Sequence, residues 1–206
     1  MNRRRDLTQR ALDVLLAGAL LVVTAPLWPL IYVAVRLDSP GPAIFRGERM
    51  GRDAATFPML KFRSMRHASS RSGPAITVGG DPRVTRVGRL LRATKLDELP
   101  QLLNVLRGDM SLVGWRPEDP KYRDRYPGEL SAIFSFRPGI TGPASLAFRH
   151  EEAVLAGLGE DPESAYLRDI LPKKVSMDLD YCRRATLRSD VRILLETVRS
   201  VARRPS

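Results

Sequence analysis

Residues 14–35, VLLAGALLVVTAPLWPLIYVAV, contain no charged side chain across 22 positions. As one straight helix this run would extend roughly 33 Å, about the thickness of a bilayer's hydrocarbon core. The chain has 206 residues, enough for one domain with a modest core. A membrane segment is therefore the first reading of 14–35. The run is too long for a cleaved signal peptide and lacks a clear small-residue cleavage site. Two features argue against a simple span. Pro26 and Pro29 fall mid-run, where a proline removes a helix hydrogen bond and clashes one turn back. Arg3, Arg4, Arg5 and Arg10 precede the run, while Arg36, Arg46, Arg49 and Arg52 follow it. The positive-inside rule then places both ends in the cytoplasm. A helix bent near Thr24–Pro26, entering and leaving on one face, meets both constraints, with the Thr24 hydroxyl or a local rearrangement meeting freed backbone carbonyls. On the residues alone, the re-entrant and spanning forms stand level.

The formal net charge is +11 and the pI about 10.6, which points to anionic partners. A nucleic acid would call for a recognition helix or an aromatic stacking surface. Aromatics are 6% and no such motif is present, so nucleic acid is set aside in favour of an anionic membrane lipid face and phosphorylated substrates. Cys182 is the single cysteine, which rules out an internal disulfide and fits a reducing compartment. His67 and His150 are far apart, and no Cys/His cluster offers a zinc site. Neither G-x-x-x-x-G-K-[ST] nor G-x-G-x-x-G occurs.

The expected fold is mostly α with a small β element (α+β). SPGP, 39–42, ends the membrane helix. AIF and FPMLKF predict a short hairpin around Gly51–Arg52–Asp53. Residues 66–80 are polar and Gly/Ser-rich and read as a mobile loop. Leu90, Leu91, Leu96, Leu99, Leu102, Leu103 and Leu106 carry helical spacing, with Pro100 kinking or starting a helix. Helices are expected at 150–170 and 174–203, separated by Leu171–Pro172. The last of these mixes Val191, Leu194, Leu195, Val198 and Val201 with many arginines. Such a helix either lies on an anionic membrane or packs on its own domain with a solvated basic face. Two units result: a basic arm and membrane helix at 1–37, and a membrane-associated domain at 38–206.

The densest chemistry lies in KLDELPQLLNVLRGDMSLVGWRPE, 95–118. Asp97 and Glu98 are adjacent carboxylates in Leu/Val-rich surroundings, bracketed by Arg92, Arg107 and Arg116. Carboxylates are costly beside apolar surface unless paired or bound to a cation. The pattern fits a site handling a metal ion and an anionic substrate. It equally fits a helix start, with Thr94 as cap and Asp97 completing a capping box. Arg83, Arg86, Arg89 and Arg92 recur every third residue, roughly one helical face.

The order DPRVTRVGRLLRATKLDELPQLLNVLRGDMSLVGWRPE (81–118) followed by RPGITG (137–142) resembles the bacterial sugar transferases, the monotopic phosphoglycosyl transferases that start glycan assembly on polyprenyl phosphate. DSPGPAIFRGERMGRDAATFPMLKFRSM, 38–65, matches that pattern too. The resemblance runs from about residue 3 to at least residue 150, and more loosely to the C-terminus. It implies transfer of a sugar-1-phosphate from a nucleotide-sugar donor, usually a UDP-sugar, to a polyprenyl phosphate acceptor, releasing UMP. It also favours the re-entrant helix–break–helix and a location on the cytoplasmic face of the bacterial inner membrane. Asp97 matches the family's nucleophilic Asp and Glu98 its partner. Both are the implied ligands of the Mg²⁺ the family requires, with Asp109 as outer support. Lys61, Arg92, Arg116 and Arg149 match basic positions expected to bind substrate phosphates, and the planar guanidinium fork suits two oxygens at once.

Two departures stand out. Trp115 replaces the first proline of the Pro-Arg-Pro motif, which leaves a less rigid loop or an indole free to stack on a base or sugar. After PGITG the chain reads PASLAFRHEE in place of the common WAQVNGR. No motif assigns the sugar or an oligomeric state. An inactive membrane scaffold of the same fold is the alternative, against which the intact Asp97–Glu98 pair argues.

Overall fold

The computed structural model describes residues 3–66, 80–126, 128–157 and 161–202. The expected loop at 66–80 lies outside these apart from its first and last residues.

Helix α1 spans Arg3–Thr24 and α2 spans Leu27–Asp38. The break falls at Ala25–Pro26, where the proline has no N–H and the chain makes shorter bonds, Ala25 N to Val22 O and Trp28 N to Ala25 O. Val22 O, which Pro26 leaves without its usual donor, is thus met by local rearrangement, while Thr24 Oγ1 donates one turn back within α1 to Leu20 O at 2.7 Å. Asp6–Thr24 is long and apolar enough to cross a membrane by length and composition. Only a narrow stripe of α1 and α2 is buried, including Asp13, Ala17, Ile31 and Val35. Leu15, Val22, Val23, Leu30 and Leu37 stand exposed, an apolar surface that water does not favour.

The buried stripe of α1 is polar at its N-terminal end. Asp13 accepts the Ser111 hydroxyl at 2.7 Å and the Leu112 N–H at 3.0 Å, and Arg10 donates to the carbonyls of Val105 and Leu106. The apolar helix is thereby tied to the elements that carry the site. At the far end, Arg63 donates to the carbonyls of Val35, Ser39 and Pro40, capping α2.

The predicted hairpin forms from β1 (Ile44–Met50) and β2 (Thr56–Phe62), paired antiparallel. Its left-handed positions are Asp53 and Ala54, both with φ 56°, and not Gly51. Helix α3 spans Arg86–Thr94 and α4 spans Gln101–Arg107. Pro100 starts α4, one of the two outcomes its sequence position allowed. Asn104 on α4 accepts from Leu60 N–H and donates to Pro58 O, locking α4 to β2.

Strands β3 (Ser111–Val113) and β4 (Gly139–Thr141) pair in parallel, bringing together the two motifs separated in sequence. The approach is so close that a Cβ at Gly139 would lie 2.1 Å from Gly114 N. We expect Gly139→Ala to destabilise the chain at or above the usual overpacking range of about 1–3 kcal/mol. Thermal unfolding would read it as a clearly lowered Tm; an unchanged Tm would mean that the ladder does not hold this register.

Beyond β4 lie short helices α5 (Pro143–Ala147), α6 (Glu151–Ala156) and α7 (Pro162–Ala165), a π-helical turn at Tyr166–Ile170, then α8 (Leu171–Arg184) and α9 (Leu187–Ala202). Leu171–Pro172 does not separate two helices as expected. Pro172 occupies the first turn of α8, where its missing N–H is no loss. The break in 174–203 falls at Ala185–Thr186, where Ala185 is extended and Thr186 and Ser189 exchange capping bonds. On α9, Leu187, Val191, Leu195, Val198 and Val201 are exposed. Among the described residues the result is mostly helical with two small sheets.

Candidate active site

The carboxylate pair sits on a turn that Lys95 creates. Lys95 ends α3 in the left-handed conformation (φ 58°, ψ 13°), a strained choice for a residue with a Cβ. The chain then makes one 3-10 turn, Leu96–Glu98, before Pro100 opens α4. Leu99 packs against both the core under α1 and α4 and the core under α2 and α3, so the pair lies at their seam. Thr94 does not cap a helix here. It is the last residue of α3, and its hydroxyl donates back to Leu90 O and Leu91 O.

Four of the predicted site residues converge. Glu98 Oε1 accepts from Lys61 Nζ of β2 at 3.1 Å and from Arg116 Nη2, beyond β3, at 3.0 Å. Asp97 is 6% exposed, and its Oδ1 is buried with no hydrogen-bond partner. Burial pushes the Asp97 carboxyl above its usual range, opposed by Lys61 and reinforced by Glu98. Burial works against ionisation of Glu98 as well, but Lys61 and Arg116 outweigh it and hold that carboxyl well below its usual range. Burial also pulls the Lys61 ammonium down, against the attraction of Glu98. The two neighbouring carboxyls are thus driven apart, which is how paired acids acquire different chemical roles. Glu98 is a fixed anion clamped by two cations. Asp97 is a desolvated carboxyl with an oxygen to spare.

Arg92 lies in the last turn of α3, and its charge helps to hold down Asp97. Arg149 is exposed and donates to His150 Nε2 at 3.0 Å; the structure gives it no contact with the pair. The arginine row breaks up. Arg83 precedes α3 and pairs with Asp81 at 2.6 Å, while Arg86 and Arg89 are exposed. Asp109 accepts from the Asn104 amide and belongs to the α4–β2 lock. Trp115 is not available for stacking on a ligand. It is 2% exposed, its Nε1 donates to Phe136 O at 3.0 Å, and its ring meets Phe134 edge-on. Bulk in the core thus takes over from the rigidity of a proline.

Sequence reasoning missed three buried polar residues around the site. Asp178 on α8 holds backbone on both sides of the β3–β4 ladder. Gln101, four residues after Asp97, has a buried amide nitrogen without a partner. Asp13 ties α1 to β3. Each is a polar residue on an otherwise core-facing stripe, the pattern that could have flagged them.

The site suits a divalent cation shared with a phosphate ligand. Asp97 Oδ1 is an orphaned buried acceptor, and Glu98 adjoins it. Among the described residues no group of three or more His, Cys, Asp or Glu forms a cage.

Comparison with known proteins takes in nearly the whole chain. The family described as bacterial sugar transferase matches residues 4–204. A UDP-glucose:undecaprenyl-phosphate glucose-1-phosphate transferase of Caulobacter vibrioides is 43% identical over 199 residues, covering 95% of this chain and 70% of that protein. A UDP-N-acetylgalactosamine-undecaprenyl-phosphate N-acetylgalactosaminephosphotransferase of Aeromonas hydrophila is 35% identical over 94% of this chain. An Escherichia coli protein with the same name as the Caulobacter one is 37% identical over 93% of this chain. The chain spans only 43% and 39% of the last two relatives' lengths.

Proposed function

The chain belongs to the bacterial sugar transferase family, and from that premise we propose that it moves a sugar-1-phosphate from a UDP-sugar to polyprenyl phosphate through a covalent intermediate on Asp97. The observation that carries this reading is the buried Asp97 oxygen without a partner beside the Lys61–Glu98–Arg116 clamp. Named relatives are enzymes of this class, so the chain is a transferase; the acceptor, the steps and the residue roles are our reading.

In the first step an Asp97 oxygen attacks the sugar-bearing phosphorus of the donor. The bond from that phosphorus to the bridging oxygen breaks, and UMP leaves with the oxygen. The protein then holds an acyl phosphate ester of the sugar, a reactive mixed anhydride. In the second step a phosphate oxygen of the lipid attacks the same phosphorus. The acyl oxygen–phosphorus bond breaks, which restores the Asp97 carboxylate and yields the polyprenyl diphosphate sugar. Arg116 and Lys61 hold Glu98 and face the donor's phosphates, where preorganised positive charge stabilises the charge that develops. Asp97 and Glu98 would hold Mg²⁺, which neutralises diphosphate oxygens when bound. Arg92 and Arg149 are assigned to phosphate binding at the rim, Arg149 turning from His150 to do so.

Radiolabel transfer from a panel of UDP-sugars to polyprenyl phosphate tests the assignment. Label in the lipid fraction is expected with one donor. No lipid label with any donor would return the chain to a scaffold role.

The broken α1–α2 segment, the exposed apolar faces of that segment and of α9, and the flanking arginines support a membrane arrangement. We place 1–37 as a re-entrant arm, 38–206 as a cytoplasmic domain, and α9 on anionic lipid of the inner membrane. With Cys182 replaced, an Asn2→Cys variant should resist an impermeant thiol reagent in intact cells and react after permeabilisation. Ready labelling from outside would sink the re-entrant form.

A further inference from the structure

The Asp178 side chain is buried, at 2% exposure, on the inward face of α8. Its two oxygens hold two backbone segments. Oδ1 accepts the Ala144 N–H at 2.9 Å, just after β4, and Oδ2 accepts the Arg116 N–H at 3.3 Å, just after β3. Gly142 lets the two segments held by Asp178 come together, since a Cβ there would lie 2.2 Å from Gly114 O. Arg116 in turn reaches Glu98 at 3.0 Å. Asp178 on α8 thus holds the backbone of the residue whose guanidinium reaches the carboxylate next to Asp97.

We propose that Asp178 is a positioning residue for the transfer, clamping the ends of β3 and β4 so that the Arg116 fork stays on Glu98. The proposal rests on the catalytic reading above for its rate effects, but its structural half does not. A carboxylate suits the task because it offers two acceptors and no donor, and two backbone N–H groups converge on it. An amide in its place would turn its own N–H₂ toward one of them.

Protonation supplies an independent handle. Burial pushes the Asp178 carboxyl up to about 6, against the pull of the two backbone N–H bonds and of Lys174. The groups facing it are Lys174 on α8 itself, Arg116 and Glu118 from the segment after β3, and Tyr126 from the 3-10 turn beyond. Glu118 and Glu151 occupy the Lys174 ammonium at 3.5 and 3.0 Å, so that cation is shared among three carboxylates. A carboxyl raised on folding stabilises the fold when protonated, and that contribution fades as pH rises through about 6. Lowering the pH through this range should therefore firm the fold while loosening the grip on Arg116. A purely structural carboxylate would give no such opposition between stability and rate.

The test is a double-mutant cycle of Asp178→Asn and Arg116→Lys, read as the rate of phosphosugar adduct formation by intact-protein mass spectrometry. Each single variant should slow the adduct about tenfold or more, and the double should be no slower than the worse single, because both act through one contact. Hydrogen exchange of 114–118 and 142–146 should quicken in Asp178→Asn. Should that variant not fold, Asp178→Glu enters the cycle, and the wild-type pH profile of rate against Tm carries the same contrast. Multiplicative rate effects, or exchange unchanged from the wild type, overturn the proposal. Wild-type protein that gives no adduct with any donor defeats the catalytic reading alone, and exchange then decides the role of Asp178.

Discussion

Asp97→Asn should abolish both the protein-bound phosphosugar and transfer to lipid while leaving the fold at least as stable as before. The substitution keeps the size of the side chain and removes its nucleophile. Losing a covalent nucleophile typically costs on the order of 10⁴-fold or more in rate. Stability should move the other way. Burial raises the Asp97 carboxyl, so its ionised form opposes folding at neutral pH; that contribution is favourable only below the unfolded carboxyl's range and fades as pH rises. A neutral amide removes the penalty, as expected where a site is built for chemistry at the expense of stability. Mass spectrometry after mixing with UDP-sugar and Mg²⁺, with UMP release and lipid product measured in parallel, reads the first half; Tm reads the second. Full lipid transfer by the variant, confirmed free of deamidation to Asp, would refute the covalent mechanism.

The hairpin, the break at Pro26 and the carboxylate pair were legible in the sequence because each rests on local chemistry. The apolar runs AIF and FPMLKF on either side of Gly51–Asp53, a proline inside an apolar run, and acids between leucines need no distant partner to be noticed. What the sequence hid depends on long-range contact. Trp115 reads as an open aromatic until Phe134 and Phe136, about 20 positions away, enclose it. Leu171–Pro172 reads as a break because proline stops a helix from within, yet at the first turn it starts one. Thr94 reads as a cap because the left-handed turn at Lys95 is invisible in a residue that rarely adopts it. Asp178 lies 62 positions from Arg116, and nothing local marks it as part of the site. The reacting groups are thus written compactly between 95 and 118, whereas the scaffold that aims them is distributed.

Glu98→Gln should be severely impaired and should change how the fold responds to pH. The glutamate carries two buried-side partners, Lys61 at 3.1 Å and Arg116 at 3.0 Å, with its own side chain 11% exposed. Removing one member of a buried ion pair commonly costs about 3–5 kcal/mol, because the remaining charge is left uncompensated. Arg116 is 30% exposed and partly hydrated, which puts this case toward the low end. Lys61 is the cation that can yield. Burial already pulls its ammonium below the ordinary lysine range, and Glu98 is the main force resisting that pull. Without Glu98 the Lys61 ammonium should be drawn further down, so as the ordinary lysine range is approached the variant should bind fewer protons folded than unfolded. Its stability then rises with pH. Measured from about pH 6 to about pH 9.5, the Tm deficit of Glu98→Gln against the wild type should shrink as ordinary lysine titration is approached. Adduct formation should fall by on the order of 10²–10⁴-fold, the range typical of a lost acid–base or charge-stabilising group. A trace of adduct would survive if Glu98 serves mainly the metal, because Asp97 keeps its oxygen. A Tm deficit that stays constant across the range would show that Lys61 is not the charge Glu98 balances, and the clamp would have to be reassigned to Arg116 alone.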